Sequence, residues 1–255
     1  MKVLDLFAGI GGFSLAAHWM GWETVAFVEI DPFCQKVLKK NFPNTPVYGD
    51  IKNFDGTEYN GTVDLICGGF PCQPFSDAGF KMGKNDDRYL WHENIRVIRK
   101  VKPRWVVSEN VFGLVTMDDG AILGEILTSL ENEGYKPEVF IIPACAVGAP
   151  HKRNRVWIVA YSGSIEQNAI ISKDCKTENI GRKPEKWSEA WEQFKLVAGI
   201  GHSQLGFYNG YNIEPCVVRS NDGVSDRMDR LKSLGNAVVP QVVYEIFKAI
   251  EGIEI

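Results

Sequence analysis

The chain has 255 residues and a mass of 28.5 kDa, with 45% hydrophobic and 24% charged residues. These proportions suit one sizeable core plus a small appendage, and they exclude a disordered tail, a fibrous repeat and a small disulfide scaffold. A net charge of −4 and a pI near 5.7 argue against indiscriminate coating of nucleic acid.

Lys2–Phe7 reads as a short apolar strand running into the glycine turn Gly9-Ile10-Gly11-Gly12, then into a helical stretch from Phe13 to Met20. Thr24–Val28 is a β-branched strand ending at Glu29, and Asp31-Pro32 starts a helix, with Asp as N-cap and Pro in the first turn. Val47-Tyr48 leads to Gly49-Asp50. Val63–Cys67 is a buried strand ending in Gly68-Gly69. A helix around Glu93–Val101 precedes the strand Trp105–Ser108, which ends at Glu109-Asn110. Ala121–Glu133 is an amphipathic helix, and Val139–Pro143 and Val156–Ala160 are later strands. Strands alternating with helices imply an α/β fold with a mostly parallel sheet and helices on both faces.

From Tyr161 to Arg219 the alternation stops, and Trp187, Trp191 and Phe194 share one helix face, the core of an insertion. Leu231–Ile250 returns to helical patterning. The expected organisation is a core at 1–160, a small insertion at 161–219 and a returning segment at 220–255.

Charge is uneven along the chain. Residues 81–104 hold eight basic side chains, from Lys81, Lys84 and Arg88 to Arg96, Arg99, Lys100, Lys102 and Arg104, against three acidic ones. The Arg96–Arg104 part is either a solvated helix face or a surface for phosphate. Six cysteines (Cys34, Cys67, Cys72, Cys145, Cys175, Cys216) show no Cys-x-x-Cys spacing, so no structural zinc is expected. Their scatter, with no leader pattern at the start of the chain, fits a reducing cytoplasm, and no apolar run reaches the ~18–20 residues of a membrane span.

The polar residues of interest fall at strand C-termini, the edge where open α/β sheets bind ligands. The glycine turn lets backbone approach a ligand, and Glu29 at the end of the second strand can accept from ribose hydroxyls. Together they indicate an adenosine-containing cofactor; the phosphate loop Gly-x-x-x-x-Gly-Lys is absent. Asp50 either takes an adenine amino group or simply caps a helix. Cys72, held between Pro71 and Pro74, is a nucleophile or an inert thiol, and the prolines and glycines favour the first. Glu109 offers a proton partner near it. Arg153 and Arg155 alternate at a strand start and so should share a face, aimed at an anion or a carbonyl.

In this order the blocks resemble the motifs of the cytosine-5 DNA methyltransferases: Asp5–Gly12, Glu29-Ile30-Asp31, Gly49-Asp50-Ile51, Pro71-Cys72-Gln73, Glu109-Asn110-Val111, Arg153-x-Arg155 and Leu234–Val238. The resemblance implies a Rossmann-like fold that binds S-adenosylmethionine, released as S-adenosylhomocysteine, through Phe7, Gly9, Gly11, Glu29, Ile30, Asp50, Ile51, Pro71, Leu90, Asn236 and Val238, with no metal. It further implies base flipping from double-stranded DNA, attack of Cys72 on carbon 6 of cytosine, Glu109 acting at N3, and Arg155, supported by Arg153, facing O2. Methyl transfer to carbon 5 follows. Ser76–Leu90 is similar to the family's closing loop, 161–219 corresponds to its target-recognition region, and Lys183 and Lys186 there would meet phosphate. His151 stands where many members have Gln, the insertion is short, and the block before Leu234 is similar to that of compact phage and prophage members. The implied setting is a monomer in the cytoplasm of a bacterial or phage-infected cell, in DNA methylation or restriction-modification. An RNA cytosine methyltransferase and an inactive DNA-gripping regulator are the other readings.

Overall fold

Short β-branched runs separated by apolar helices build one sheet. The structure is a computed structural model and describes residues 1–71, 90–149, 151–163, 233 and 235–254. Its strands are β1 (Lys2–Leu6), β2 (Glu23–Val28), β3 (Val47–Tyr48), β4 (Leu65–Gly68), β5 (Trp105–Val111), β6 (Tyr135–Pro143) and β7 (Asn154–Ser162), in the order β3-β2-β1-β4-β5-β7-β6. All neighbours pair parallel except β7, which runs antiparallel to both β5 and β6. The chain moves outward from β1 to β3 on one side and from β4 to β5 on the other. The switch point therefore lies between β1 and β4, where the crevice beyond the strand ends takes ligands.

Side-chain alternation puts apolar residues on both faces of the sheet. On one face, Leu4, Leu6, Ile66 and Val106 pack with α3 (Trp91–Val101) and α4 (Ala121–Asn132). On the other, Val3, Leu65 and Val107 pack with α1 (Gly12–Trp19) and α5 (Pro240–Glu254). There Trp22 stacks on Phe247, ring centroids 4.8 Å apart. Phe27 on β2 meets Leu38 of α2 (Pro32–Asn41), whose N-cap Asp31 accepts from Phe33 and Cys34 amides as the sequence predicts.

Three strands run longer than expected. β6 begins at Tyr135, β7 spans Asn154–Ser162, and β5 continues to Val111, so Glu109 lies inside its strand rather than beyond it. The cause is the antiparallel neighbour. Parallel β4 stops at the pair Gly68↔Ser108, but β7 carries β5 three residues further, through Glu109↔Trp157, Asn110↔Val156 and Val111↔Arg155. β7 also passes the expected core boundary at 160 by two residues. The rest of the insertion, with Cys175, Lys183, Lys186 and Cys216, lies outside the described residues, as do Cys72 and most of the loop expected at 76–90.

Four of the five basic residues at Arg96–Arg104 are ion-paired locally. Arg96 pairs with Glu93 at 2.6 Å, Arg99 with Glu133 at 2.6 Å, Lys100 with Asp55, and Arg104 with Asp64 at 3.1 Å. α3 leads into the start of β5, so its basic end sits at the opposite edge from the strand C-termini. Of the two readings of Arg96–Arg104, the structure supports the solvated, ion-paired face.

Two positions under the switch point are sensitive. A Cβ on Gly68 would stand 2.1 Å from the Leu6 carbonyl oxygen, so β1 and β4 approach too closely for any side chain there. Gly68→Ala should cost at least ~3 kcal/mol, the upper range for overpacking, read as a lowered urea midpoint at unchanged m-value. Asp5 is fully buried and accepts from Ser14 Oγ at 2.7 Å; burial raises its carboxyl to about 8 from an ordinary 3.8. The folded state thus keeps a proton that the unfolded chain releases, and stability falls as pH rises from about 4 to 8, by at most ~1.4 kcal/mol per pH unit from this group. Asp5→Asn should flatten that part of the stability–pH curve measured by thermal unfolding.

Candidate active site

Four strand ends assemble the expected cofactor edge. Past β1 the backbone turns sharply: Phe7 and Gly9 have φ of 53° and 55°, and Gly11 has 88°. A left-handed Phe is strained, and such positions cluster where ligands bind. Glu29 braces this turn: its Oε2 accepts from the Gly9 amide and its Oε1 from the Asp31 amide, each at 2.7 Å. Each carboxylate oxygen can accept a second bond, so ribose hydroxyls are compatible with this role. Beside it Ile30 is 67% exposed, an apolar side chain offered at a strand end. Asp50 caps a short 3-10 turn, Ile51–Asn53, accepting from the Lys52 amide at 3.0 Å, and Arg96 donates to the Ile51 carbonyl at 2.7 Å. Asp50 makes this cap with its Oδ1, and Ile51 is buried behind it.

Pro71 follows β4, and Leu90 stands at the N-terminus of α3, which brings both to the same edge. The late segment returns here as well. A Cβ on Gly12 would lie 2.6 Å from Val238 Cγ2, so Val238 packs directly on the glycine turn. Around it lies an open cavity of about 640 Å³, lined among others by Gly11, Leu15, His18, His151, Arg153 and Val238. Its size is that of a small-molecule site. It takes in Gly11 and Val238 but not Glu29, Ile30 or Asp50, so it forms one flank of the expected cofactor edge. Nothing stands within 4 Å of where a Cβ on Gly9 would point, so the turn itself is open to a ligand.

The chemical centre lies across the switch point, on β4, β5 and β7. Glu109 is buried, and Arg155 Nε lies 2.9 Å from its Oε1. The contact follows from register: Glu109 faces Trp157 and Val111 faces Arg155, so Glu109 and Arg155 are diagonal neighbours on one face of the sheet. It is an ion contact without an aligned hydrogen bond, which leaves Oε1 short of a partner in a buried place. Burial raises the Glu109 carboxyl to about 7 from an ordinary 4.5, against the pull of Arg155 and Arg153. Near neutral pH this group can both donate and accept, as a general acid–base must.

The path to Cys72 is anchored from β5. Asn110 Nδ2 donates to the Phe70 carbonyl at 3.1 Å, two residues before Cys72, while its Oδ1 accepts from the Val111 amide at 2.8 Å. Gly69 leaves room for the acid, since a Cβ there would stand 3.3 Å from Glu109 Oε2. Cys72 itself lies outside the described residues. The other cysteines that are described match the expected fillers: Cys34 and Cys67 are buried, Cys145 is exposed, and burial pushes the Cys67 thiol up.

Arg153 departs from expectation. The face-sharing argument needs both arginines in extended strand, but β7 begins at Asn154 and Arg153 has φ of 35°. Its guanidinium turns to the late segment and donates to the Gly235 carbonyl at 2.7 Å and the Ala237 carbonyl at 2.8 Å. Only Arg155 contacts the acid directly among the two.

The profile of the family described as C-5 cytosine-specific DNA methylase matches residues 1–195. The chain belongs to that family. Type II methyltransferase M.PspPI of Psychrobacter sp. (strain TA137) is 42% identical over 161 residues, covering 62% of this chain and 39% of that protein. Type II methyltransferase M.AquIA of Picosynechococcus sp. is 37% identical over 175 residues, 62% of this chain and 71% of that protein. The chain thus spans about two fifths of the first of these relatives. In fold it is similar to Spodoptera frugiperda DNMT2 in a substituted form, with a TM-score of 0.62, 18% identity, and coverage of 97% of this chain and 98% of that one. The sheet order with its reversed β7 is the Rossmann-like methyltransferase architecture that the motifs imply.

Within this member of the C-5 cytosine-specific DNA methylase family, sequence reasoning quoted Asn110 and Gly69 in its motifs but gave neither a role as a support of the site. The signal was present: an Asn directly after the acid and paired glycines directly after a strand. Among the described residues there is no cluster of His, Cys, Asp and Glu that could hold a metal ion, and no helix is long and apolar enough to cross a membrane.

Glu109→Gln separates stability from chemistry. The raised carboxyl means the folded protein retains a proton between about 4.5 and 7 that the unfolded chain loses, so stability falls as pH rises through that window. The Gln variant should melt at least as high as the parent at pH 8, yet lose roughly 10²–10⁴ in turnover, the usual worth of a positioned acid–base. Parallel melting and single-turnover measurements check this; a lower melting point at pH 8 would make Glu109 structural.

Proposed function

We propose that this chain is a DNA cytosine-5 methyltransferase that takes double-stranded DNA and S-adenosylmethionine as substrates. The observation that carries the reading is Glu109: a buried carboxyl raised to about 7, beside Arg155, on the strand next to the one that leads to Cys72. Chemistry on a cytosine ring needs the base out of the stack, an acid for its ring nitrogen and a nucleophile for carbon 6. In this reading the Cys72 thiolate bonds to carbon 6, Glu109 protonates or hydrogen-bonds N3 as charge builds on the ring, and the Arg155 guanidinium faces O2. Carbon 5 then carries the nucleophilic electron pair. After methylation, loss of the carbon 5 proton and release of Cys72 restore the ring.

The exposed Ile30, the braced Glu29 and the open turn at Gly9 suit an adenosine-bearing cofactor. Phe7, Gly11, Asp50, Ile51, Pro71, Leu90, Asn236 and Val238 would complete its site. Bound there, S-adenosylmethionine supplies an electrophilic methyl group on a sulfonium. The reading assigns residues 161–219 to target recognition, needs no metal, and places a monomer in the cytoplasm.

Two assays test it. Labelled cofactor should methylate duplex DNA, and sequencing the product gives the target site. Duplex containing 5-fluorocytosine should form a covalent complex that Cys72→Ala abolishes. Methyl incorporation into tRNA but not duplex DNA would move the substrate to RNA. Incorporation into neither would overturn the enzyme reading.

A further inference from the structure

Arg153 is one of two arginines at the start of β7, and its side chain serves a different purpose from its neighbour's. One nitrogen, Nη2, donates to two carbonyls, Gly235 at 2.7 Å and Ala237 at 2.8 Å. Both hydrogens of that nitrogen are thereby engaged, in charge-assisted bonds. The acceptors lie more than eighty positions along the chain. They bracket Asn236, and the residue after Ala237, Val238, rests on Gly12. Among the described residues, Arg153 supplies the hydrogen bonds that tie 235–237 to the sheet. The Arg153 backbone sits at φ 35°, off the strand, and its guanidinium bonds to this segment while its charge still acts on Glu109 from a distance.

We propose that Arg153 is a positioning residue for the cofactor side of the site: it fastens the segment from Gly235 to Val238 over the glycine turn and so sets Asn236 in place. Its part in the reaction is to shape the cavity that Gly11, Val238 and its own side chain line. The identity of the ligand rests on the methyltransferase reading; the fastening does not.

The test uses the whole chain in three forms: the parent, Arg153→Met, which keeps length but has no donor, and Arg153→Lys, which keeps charge and donors. S-adenosylhomocysteine binding is measured by calorimetry without DNA, backbone amide exchange is followed at 236–239, and KM for S-adenosylmethionine is compared with kcat. The Met variant should bind S-adenosylhomocysteine about ten-fold more weakly, the order expected for two lost hydrogen bonds, and should lose amide protection at 236–239. The Lys variant should recover most of both. The kinetic loss should fall mainly on KM. Unchanged affinity and protection in the Met variant would overturn the proposal. So would a fall in kcat at constant KM and affinity, which would return Arg153 to the base. If the Met variant does not fold, the Lys variant decides: parent-like protection at 236–239 supports the fastening, and loss of protection in that folded, still charged variant overturns it. A parent chain that binds no S-adenosylhomocysteine would sink the cofactor reading, while the exchange measurement still reports on the fastening.

Discussion

The antiparallel pairing of β5 with β7 is the constraint on which the candidate site depends. A parallel neighbour alone releases β5 at Ser108. The reversed strand holds it through Val111 and thereby sets the depth of Glu109, the diagonal contact with Arg155 and the reach of Asn110 back to Phe70. None of these could be arranged by a loop with comparable precision, because ladder register fixes which side chains share a face. The site is thus built on rigid elements at its chemical end and on a glycine turn at its cofactor end.

Two of the buried acids among the described residues carry a cost. Asp5 and Glu109 each lose solvation, and each is raised well above its ordinary range. For Glu109 the cost comes with a use, since a carboxyl that exchanges its proton near neutrality suits the chemistry. For Asp5 the surroundings are Ser14 and the β1–β4 junction, directly below the turn. The contribution of these two groups to stability thus falls towards the alkaline side.

Much of this was readable from residues in order. The strand ends expected at Phe7, Val28, Tyr48 and Cys67 fall within one residue of those observed at Leu6, Val28, Tyr48 and Gly68, and with the Asp31 cap and the two-faced sheet they follow from local pattern, because alternation and capping are short-range effects. The places that sequence reasoning misjudged depend on partners far along the chain. Arg153 and Arg155 look equivalent by spacing, and only the start of β7 and the location of Gly235 distinguish them. The Arg96–Arg104 stripe stays open between a solvated face and a surface for phosphate until Glu133, Asp55 and Asp64 are brought beside it. The extension of β5 through Glu109 needs a strand more than forty residues later.

The seat of Val238 on Gly12 has a consequence for the order in which the molecule is made. Synthesis delivers the glycine turn well before Val238, the side chain that covers it. β1 through β7 can pair before that segment leaves the ribosome, since domains fold as their residues emerge. The acid and its arginine are therefore in place while the cofactor flank still lacks one wall. Closing that flank is a long-range contact of high entropic cost, which makes it a late event in folding. A nascent chain would pass through a stage with its proton chemistry assembled and its methyl donor site incomplete.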